Sequence, residues 1–427
     1  MNLRSIIAVP IVALAVVACG RQESAPGADG TWVGTITTEG NVTTVVNESG
    51  SVWGGTARLV EEVSIGVAAG ADEYMFGLIS SVYVTKDRIY VVDSQVPAVR
   101  AYDHAGTFVG TLGRVGQGPG EYMRPRIVAA DTSGRVFVLD GSLGRLNVYA
   151  PSGETLESWP LQNSRCCVRP MYPLGDDAIW APVYGPRDEE TGEPSYGVQA
   201  VGPSGLYGEV MWVPEIDYAR TTYEIGSGFE VGVPFSPSLY WYPAPEGRMV
   251  VGASDKYRFE VHGPGGTKLV VERYWEPTPV PAEHKEWERQ RRVATQRRND
   301  DPGWNLDGSD IPDHKPAYRA LIPALSGETW LARAGVSERL ADCAENPIEA
   351  GYDATVDRNP CWTDRPIVDA FGAGGRYLGE VQMPPGIRPS VLHLVIDGRL
   401  VVAVAQDPQG TYMVKRYRLV LPGEEGQ

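Results

Sequence analysis

The stretch IYVVDSQVPAVRAYDHAGTFVGTLG (89–113) aligns without a gap on VFVLDGSLGRLNVYAPSGETLESWPL (136–161), at an offset of 47 residues. Val91 falls on Val138, Asp93 on Asp140, Tyr102 on Tyr149 and Gly106 on Gly153. Upstream, Thr85-Lys86-Asp87-Arg88 falls on Thr132-Ser133-Gly134-Arg135. Each unit reads strand, polar turn, apolar strand ending in Asp, loop, alternating strand, glycine turn, strand. Four strands in about 40–50 residues is the size of one propeller blade. A carboxylate at a strand end can accept backbone N–H bonds in the following turn, so Asp93 and Asp140 read as structural rather than catalytic.

Weaker copies follow. DDAIWAPVYG (176–185) with YGVQAVGPSGLYGEVMWV (196–213) reads as a third blade, and 238–275 as a fourth, in which Phe259 to Gly265 repeats the Tyr-Asp-His-Ala-Gly turn. RALIPALSGETWLARAG (319–335) with IVDAFGAGGRYLGEVQMP (367–384) gives a fifth, and 390–421 a sixth. ARLVEEVSIG (57–66), ahead of the first blade, is positioned to supply the strand that closes the ring and removes its open edges. The composition agrees. With 50 Gly and 34 Pro among 427 residues the chain suits many short strands joined by turns, and 42% hydrophobic content excludes global disorder. A net charge of −16 argues against a nucleic-acid or anionic-membrane binder.

GTLGRVGQGPGEY (110–122), lying between IYVVDSQ and the second blade, resembles the NHL-like six-bladed β-propellers, many of them bacterial lipoproteins. The resemblance is dense over 57–160 and thinner to 421. It implies an all-β, six-bladed disc that binds partners on one face. Some relatives are lyases or lactone hydrolases with a metal in the central channel. The expected organisation is a propeller over 56–422, with a helical and acidic insertion at about 281–317 between blades four and five and a tail at 423–427.

The first residues of the chain read as an address. Arg4 precedes an apolar run from Ile6 to Ala18, which is too short for a permanent span and suits a signal peptide over 1–18. Val16-Val17-Ala18-Cys19 resembles a bacterial lipobox, which implies acylation of Cys19. Residues 20–31 read as a flexible tether, and 31–48, alternating about Glu39-Gly40-Asn41, as a β-hairpin extension; tether and hairpin together fill 19–55. The expected location is outside the cytoplasm, lipid-anchored to a membrane, the outer one in a double-membrane bacterium.

No G-x-S-x-G, S-x-x-K, H-E-x-x-H or Gly-Lys motif is present. The Gly116–Gly120 run has the wrong spacing for a Rossmann fingerprint and reads as a tight inter-blade loop. Its neighbours Gln117, Glu121, Tyr122, Arg124 and Arg126 form a candidate polar cluster at the channel mouth. Of five histidines, His104 and His262 share an outer-turn position and His284 sits on a charged helix. His314 and His393 remain as channel candidates, too few for a three-His zinc site. His393 reads first as a hydrogen-bonded structural histidine. A calcium site from carboxylates and carbonyls needs no His and stays open. The acidic stretch 300–313 fails the EF-hand spacing and reads as a solvated loop. PAEHKEWERQRRVATQRRN (281–299) has the charge order of a helix, acidic first and basic last. It is either a surface decoration or a lid with Trp287 and Arg291 facing the channel.

Cys166, Cys167, Cys343 and Cys361 suggest two disulfides. Cys343–Cys361 would close a short loop and leave a vicinal Cys166–Cys167 bridge; alternatively each of the adjacent pair reaches one cysteine of the insertion. The leading functional expectation is a monomeric scaffold binding a protein, peptide or glycan, with no required cofactor. The alternatives are a metal-dependent propeller enzyme and a purely structural envelope protein.

Overall fold

The aspartates ending the second strand of the first two repeats fix how each blade starts and turns. In the computed structural model, which describes residues 32–161, 169–175, 177–187, 194–225, 229–299, 302–306, 310–341 and 361–424, Asp93 and Asp140 are fully buried. The Asp140 carboxylate accepts the N–H groups of Met123 (2.6 Å), Ser142 (2.8 Å) and Leu143 (3.1 Å). Asp93 accepts those of Gly77, Leu78, Gln95 and Val96, and also pairs with Arg100. Each carboxylate thus ties the entry of its blade's first strand to the turn after its second. These are the structural roles read from the sequence.

Six four-stranded antiparallel blades result, each running outward from the channel. Blade 1 comprises Ile79–Val84, Ile89–Asp93, Ala98–Tyr102 and Phe108–Leu112. Blade 2 comprises Pro125–Ala130, Val136–Asp140, Arg145–Tyr149 and Thr155–Pro160. Blade 3 comprises Tyr172–Leu174, Ala178–Arg187, Pro194–Gly202 and Gly205–Trp212. Blade 4 comprises Leu239–Ala244, Arg248–Ala253, Arg258–His262 and Lys268–Arg273. Blade 5 comprises Ala320–Pro323, Thr329–Ala334, Pro366–Phe371 and Tyr377–Gln382. Blade 6 has three strands from the end of the chain, Leu394–Asp397, Leu400–Gln406 and Tyr412–Val420. Its outermost strand is Ala57–Ile65, antiparallel to Tyr412–Val420, so the ring closes as the sequence suggested. The second strands are buried on both faces because blades stack sheet on sheet, and hydrophobic clusters run from blade to blade.

The N-terminal hairpin, Val33–Glu39 with Val42–Ser49, does not stand apart. Its second strand pairs in parallel with Lys268–Arg273 and makes blade 4 a six-stranded sheet. Asn47 locks it: its side-chain oxygen accepts from Trp32 Nε1 (2.8 Å) and Tyr377 N (2.7 Å), and its Nδ2 donates to the carbonyls of Glu272 and Gly375 (both 3.1 Å). All four hydrogen-bonding positions of this buried amide are filled, three of them by blades 4 and 5.

Antiparallel order decides where the connections go. First-to-second and third-to-fourth strand turns share one face and the rim, and none exceeds five residues. Second-to-third loops and inter-blade crossings share the other face. That face carries every long segment: the hairpin Thr222–Ile225/Phe229–Gly232, helix α1 (Ala282–Asn299) and the two-stranded piece Glu338–Arg339/Trp362–Thr363. The expected helix between blades 4 and 5 is therefore present.

Candidate functional site

The loop-bearing face and the channel beneath it are where a propeller can bind. The inner strands line the channel. Val82, Ile127, Val128, Leu392 and Val395, with Tyr83 and Tyr172, surround a cavity of about 20 Å³, room for about one water. Among the described residues its polar atoms are those of Ser81, two tyrosine hydroxyls and the backbone, and no carboxylate or imidazole lines it. Tyr172 donates to the Pro323 carbonyl (3.2 Å), and burial pushes the Tyr83 and Tyr172 hydroxyls far above their ordinary range. Calcium needs six or more oxygens, several of them anionic, and zinc needs nitrogen or sulfur donors. The lining does not fit either ion, and no cluster of three metal-ligating side chains occurs among the described residues.

The candidate residues read from the sequence are dispersed. His393 lies nearest the channel, just before the inner strand of blade 6. Its ring bonds to backbone at Ile79 and Ser80, and burial keeps its pKa below the usual value, which fits the structural reading. His314 is exposed, its backbone bridged to Pro279, and does not reach the channel. Trp287 is buried at 5% exposure, with Arg291 beside its ring and bound to Glu288 (2.6 Å). Neither lines the channel, so the lid geometry expected for the pair is not formed; Trp287 faces packing instead of a pore.

The cluster around the glycine run splits in two. Glu121 and Tyr122 are consumed by the loop itself. Glu121 takes the Gly118 N–H and the Arg114 guanidinium (both 2.8 Å), which hold its carboxyl below the usual range. Tyr122, fully buried, donates to the Leu112 carbonyl and accepts from Val99 N. Arg145 spans the loop from below, donating to the carbonyls of Gln117, Gly118 and Glu121. Gln117, Arg124 and Arg126 are exposed at the entry to blade 2, on the loop-bearing face.

His284, set aside as a residue of a charged helix, is buried. It stacks on Trp362 (4.7 Å between rings, 11° between planes), meets Phe235 edge-on and bonds through Nδ1 to Ser337 Oγ (2.9 Å). Burial lowers its pKa from 6.5 to about 4. It joins three insertions: the helix, the blade 3–4 crossing and the blade 5 loop. Beside it Lys315, also buried, donates to Gly335 O and Asp364 (2.8 and 2.9 Å). In the acidic stretch the described carboxylates, Asp310 and Asp313, are exposed, as expected of a solvated loop, while Leu306 and Ile311 are buried and Asp313 pairs with Lys285. Asp300, Asp301 and Asp307 lie outside the described residues, as do Cys19, Cys166, Cys167 and Cys343.

Sequence reasoning missed a second feature of this face. Between blades 3 and 4 an open recess of about 560 Å³ is lined by Tyr196, Trp212, Glu215, Leu239 and several prolines. From Tyr196 the aromatic contacts continue inward to Trp241 (5.5 Å), over which Arg169 lies at 3.9 Å.

These features define an all-β propeller whose insertions collect on one face. Residues 69–175 match the model of a family described as 6-bladed beta-propeller (DUF5128). Among solved structures, the chain is similar to a member of the DUF4221 family from Bacteroides vulgatus (11% identity, 86% of this chain and 99% of that one, TM-score 0.47). It is also similar to virginiamycin B lyase from Staphylococcus aureus (8%, 83% and 98%, TM-score 0.37). A third is the calcium-binding protein regucalcin from Agrobacterium tumefaciens (11%, 86% and 96%, TM-score 0.37). No curated protein matches the chain.

Proposed function

We propose that this chain is a lipid-anchored, extracytoplasmic propeller of the NHL-like kind, acting as a monomeric scaffold whose loop-bearing face binds a protein, peptide or glycan. The observation that carries the reading is the asymmetry of the disc. Among the described residues one face has only tight turns, and the other holds the insertions, the exposed Arg124 and Arg126 and the aromatic recess. Loops on a rigid scaffold are where binding residues concentrate. The apolar lining of the channel cavity supports a binder over a channel enzyme, because among the described residues it offers a substrate no acid, base or metal donor. Acylation at Cys19 anchors the disc, and residues 20–31 tether it. The buried Cys361 is disulfide-bonded, and Cys343 or one of Cys166 and Cys167 is its partner.

The test is site-specific photo-crosslinking in the producing cell. A crosslinker at Arg126 is expected to trap an envelope component, and one at Gly153, in a tight turn of the opposite face, to trap none. Equal trapping at both positions, or turnover of lactones by the purified domain, would overturn the scaffold reading.

A further inference from the structure

The recess between blades 3 and 4 contains a flat aromatic surface made possible by two glycines. Trp212 ends the outermost strand of blade 3, opposite Gly197 on the next strand. A Cβ at Gly197 would lie 2.9 Å from the indole, and one at Gly185, a further strand inward, 2.5 Å from its far edge. The ring therefore lies across two strands, and only missing side chains let it do so. It is nonetheless 45% exposed, so an indole is held in place by the sheet beneath it and open to solvent. A fixed, half-exposed tryptophan loses little conformational freedom on binding, which is the property of an anchor residue.

The surrounding chemistry selects among ligands. Pro186, Pro194 and Pro214 line the recess and give it rigid, apolar walls without backbone N–H donors. Among the described residues the one charged side chain in the lining is Glu215, an acceptor that repels anions on a chain of net charge −16. Arg169 donates to the Trp241 carbonyl (2.6 Å) beneath the aromatic surface and does not line the recess. What matches a fixed aromatic face plus an anionic acceptor is an uncharged molecule with an apolar C–H face and hydroxyl donors at its edge. The C–H face meets the negative face of the ring, and the hydroxyls meet Glu215.

We infer that the Trp212 recess binds a neutral glycan, with one pyranose ring stacked on the indole. The inference rests on the scaffold reading and narrows its ligand. Affinity electrophoresis of the full domain through hydroxyethylcellulose, laminarin and arabinoxylan tests it. Retardation by at least one polysaccharide is expected, with about a tenfold weaker Kd for Trp212→Ala. Trp212→Phe should keep part of the retardation, and Tyr207→Ala, exposed on the same strand but outside the recess, should keep all of it. Thermal melts of each variant separate lost binding from lost fold.

Absence of retardation by all three polysaccharides overturns the inference, as does retardation unchanged in Trp212→Ala. A proline-rich peptide that shifts tryptophan fluorescence in the parent and not in Trp212→Ala, without glycan retardation, also overturns it and makes the recess a peptide site. Crosslinking at Arg126 judges the scaffold reading independently, so a protein trapped there with no glycan bound would sink this inference alone.

Discussion

Replacing Asp140 by alanine tests the claim that one carboxylate holds each early blade together. The side chain is fully buried and takes three short backbone N–H bonds, from Met123, Ser142 and Leu143, with Arg124 N at 3.4 Å. Hydrogen bonds to a charged group contribute about 1.5–3 kcal/mol each. Met123 and Arg124 lie at the surface and recover some hydration, so the expected loss is about 4 kcal/mol rather than the full sum. At about 2 °C per kcal/mol for a chain of this size, the melting temperature should fall by about 8 °C. Asp140→Asn keeps the oxygen facing Ser142 and Leu143 but sets an amide donor against Met123 N–H, and should lose about half as much. Asp87→Ala, on an exposed turn, is the control. Scanning fluorimetry at one fixed heating rate reads all three. A fall of less than 2 °C for Asp140→Ala would refute the reasoning, because the orphaned N–H groups would then be finding other partners at no cost.

Three further outcomes are expected. His284 has a folded pKa of about 4 against 6.5, so the unfolded chain binds the proton first and stability is full above pH 6.5 and lost as pH falls towards 4. The loss amounts to about 3 kcal/mol, and melts from pH 7.5 to 4 should slope more steeply for the parent than for His284→Phe; parallel slopes would remove His284 as the cause. Asn47→Leu leaves four groups unpaired and should lower stability by about 3 kcal/mol, with limited proteolysis releasing the hairpin first. A variant beginning at Gly66 lacks the closing strand and exposes the edge of Tyr412–Val420, so light scattering should show association; a monomer melting at the parent's temperature would contradict the closure's importance.

The blades were legible because their strands repeat at a fixed offset and their turns demand glycine at matching positions, Gly106 and Gly153 among them. Ring closure by Ala57–Ile65 was legible because the last repeat has only three strands of its own. The docking of the hairpin on blade 4 was not, since a parallel pairing between Val42–Ser49 and Lys268–Arg273 leaves no local pattern in either segment. His284 was misjudged because the charge of α1 is legible and the aromatic pair that buries one position is not: Phe235 and Trp362 come from distant insertions. The Trp212 recess had a faint signal. Gly185 and Gly197 are glycines inside strands, which mark close approach, but only register shows that both lie under one indole.

The closing strand has a consequence for the order of events during folding. Glu61 and Lys415, paired across the seam, are separated by 354 residues. Bringing such distant ends together costs about 5 kcal/mol of chain entropy before any contact rewards it. The closing strand, made before any blade, must therefore wait for the last-made one, and the disc spends its assembly as an open arc. Folding of this kind is slow for topological reasons, and its vulnerable interval lasts until the final strand arrives.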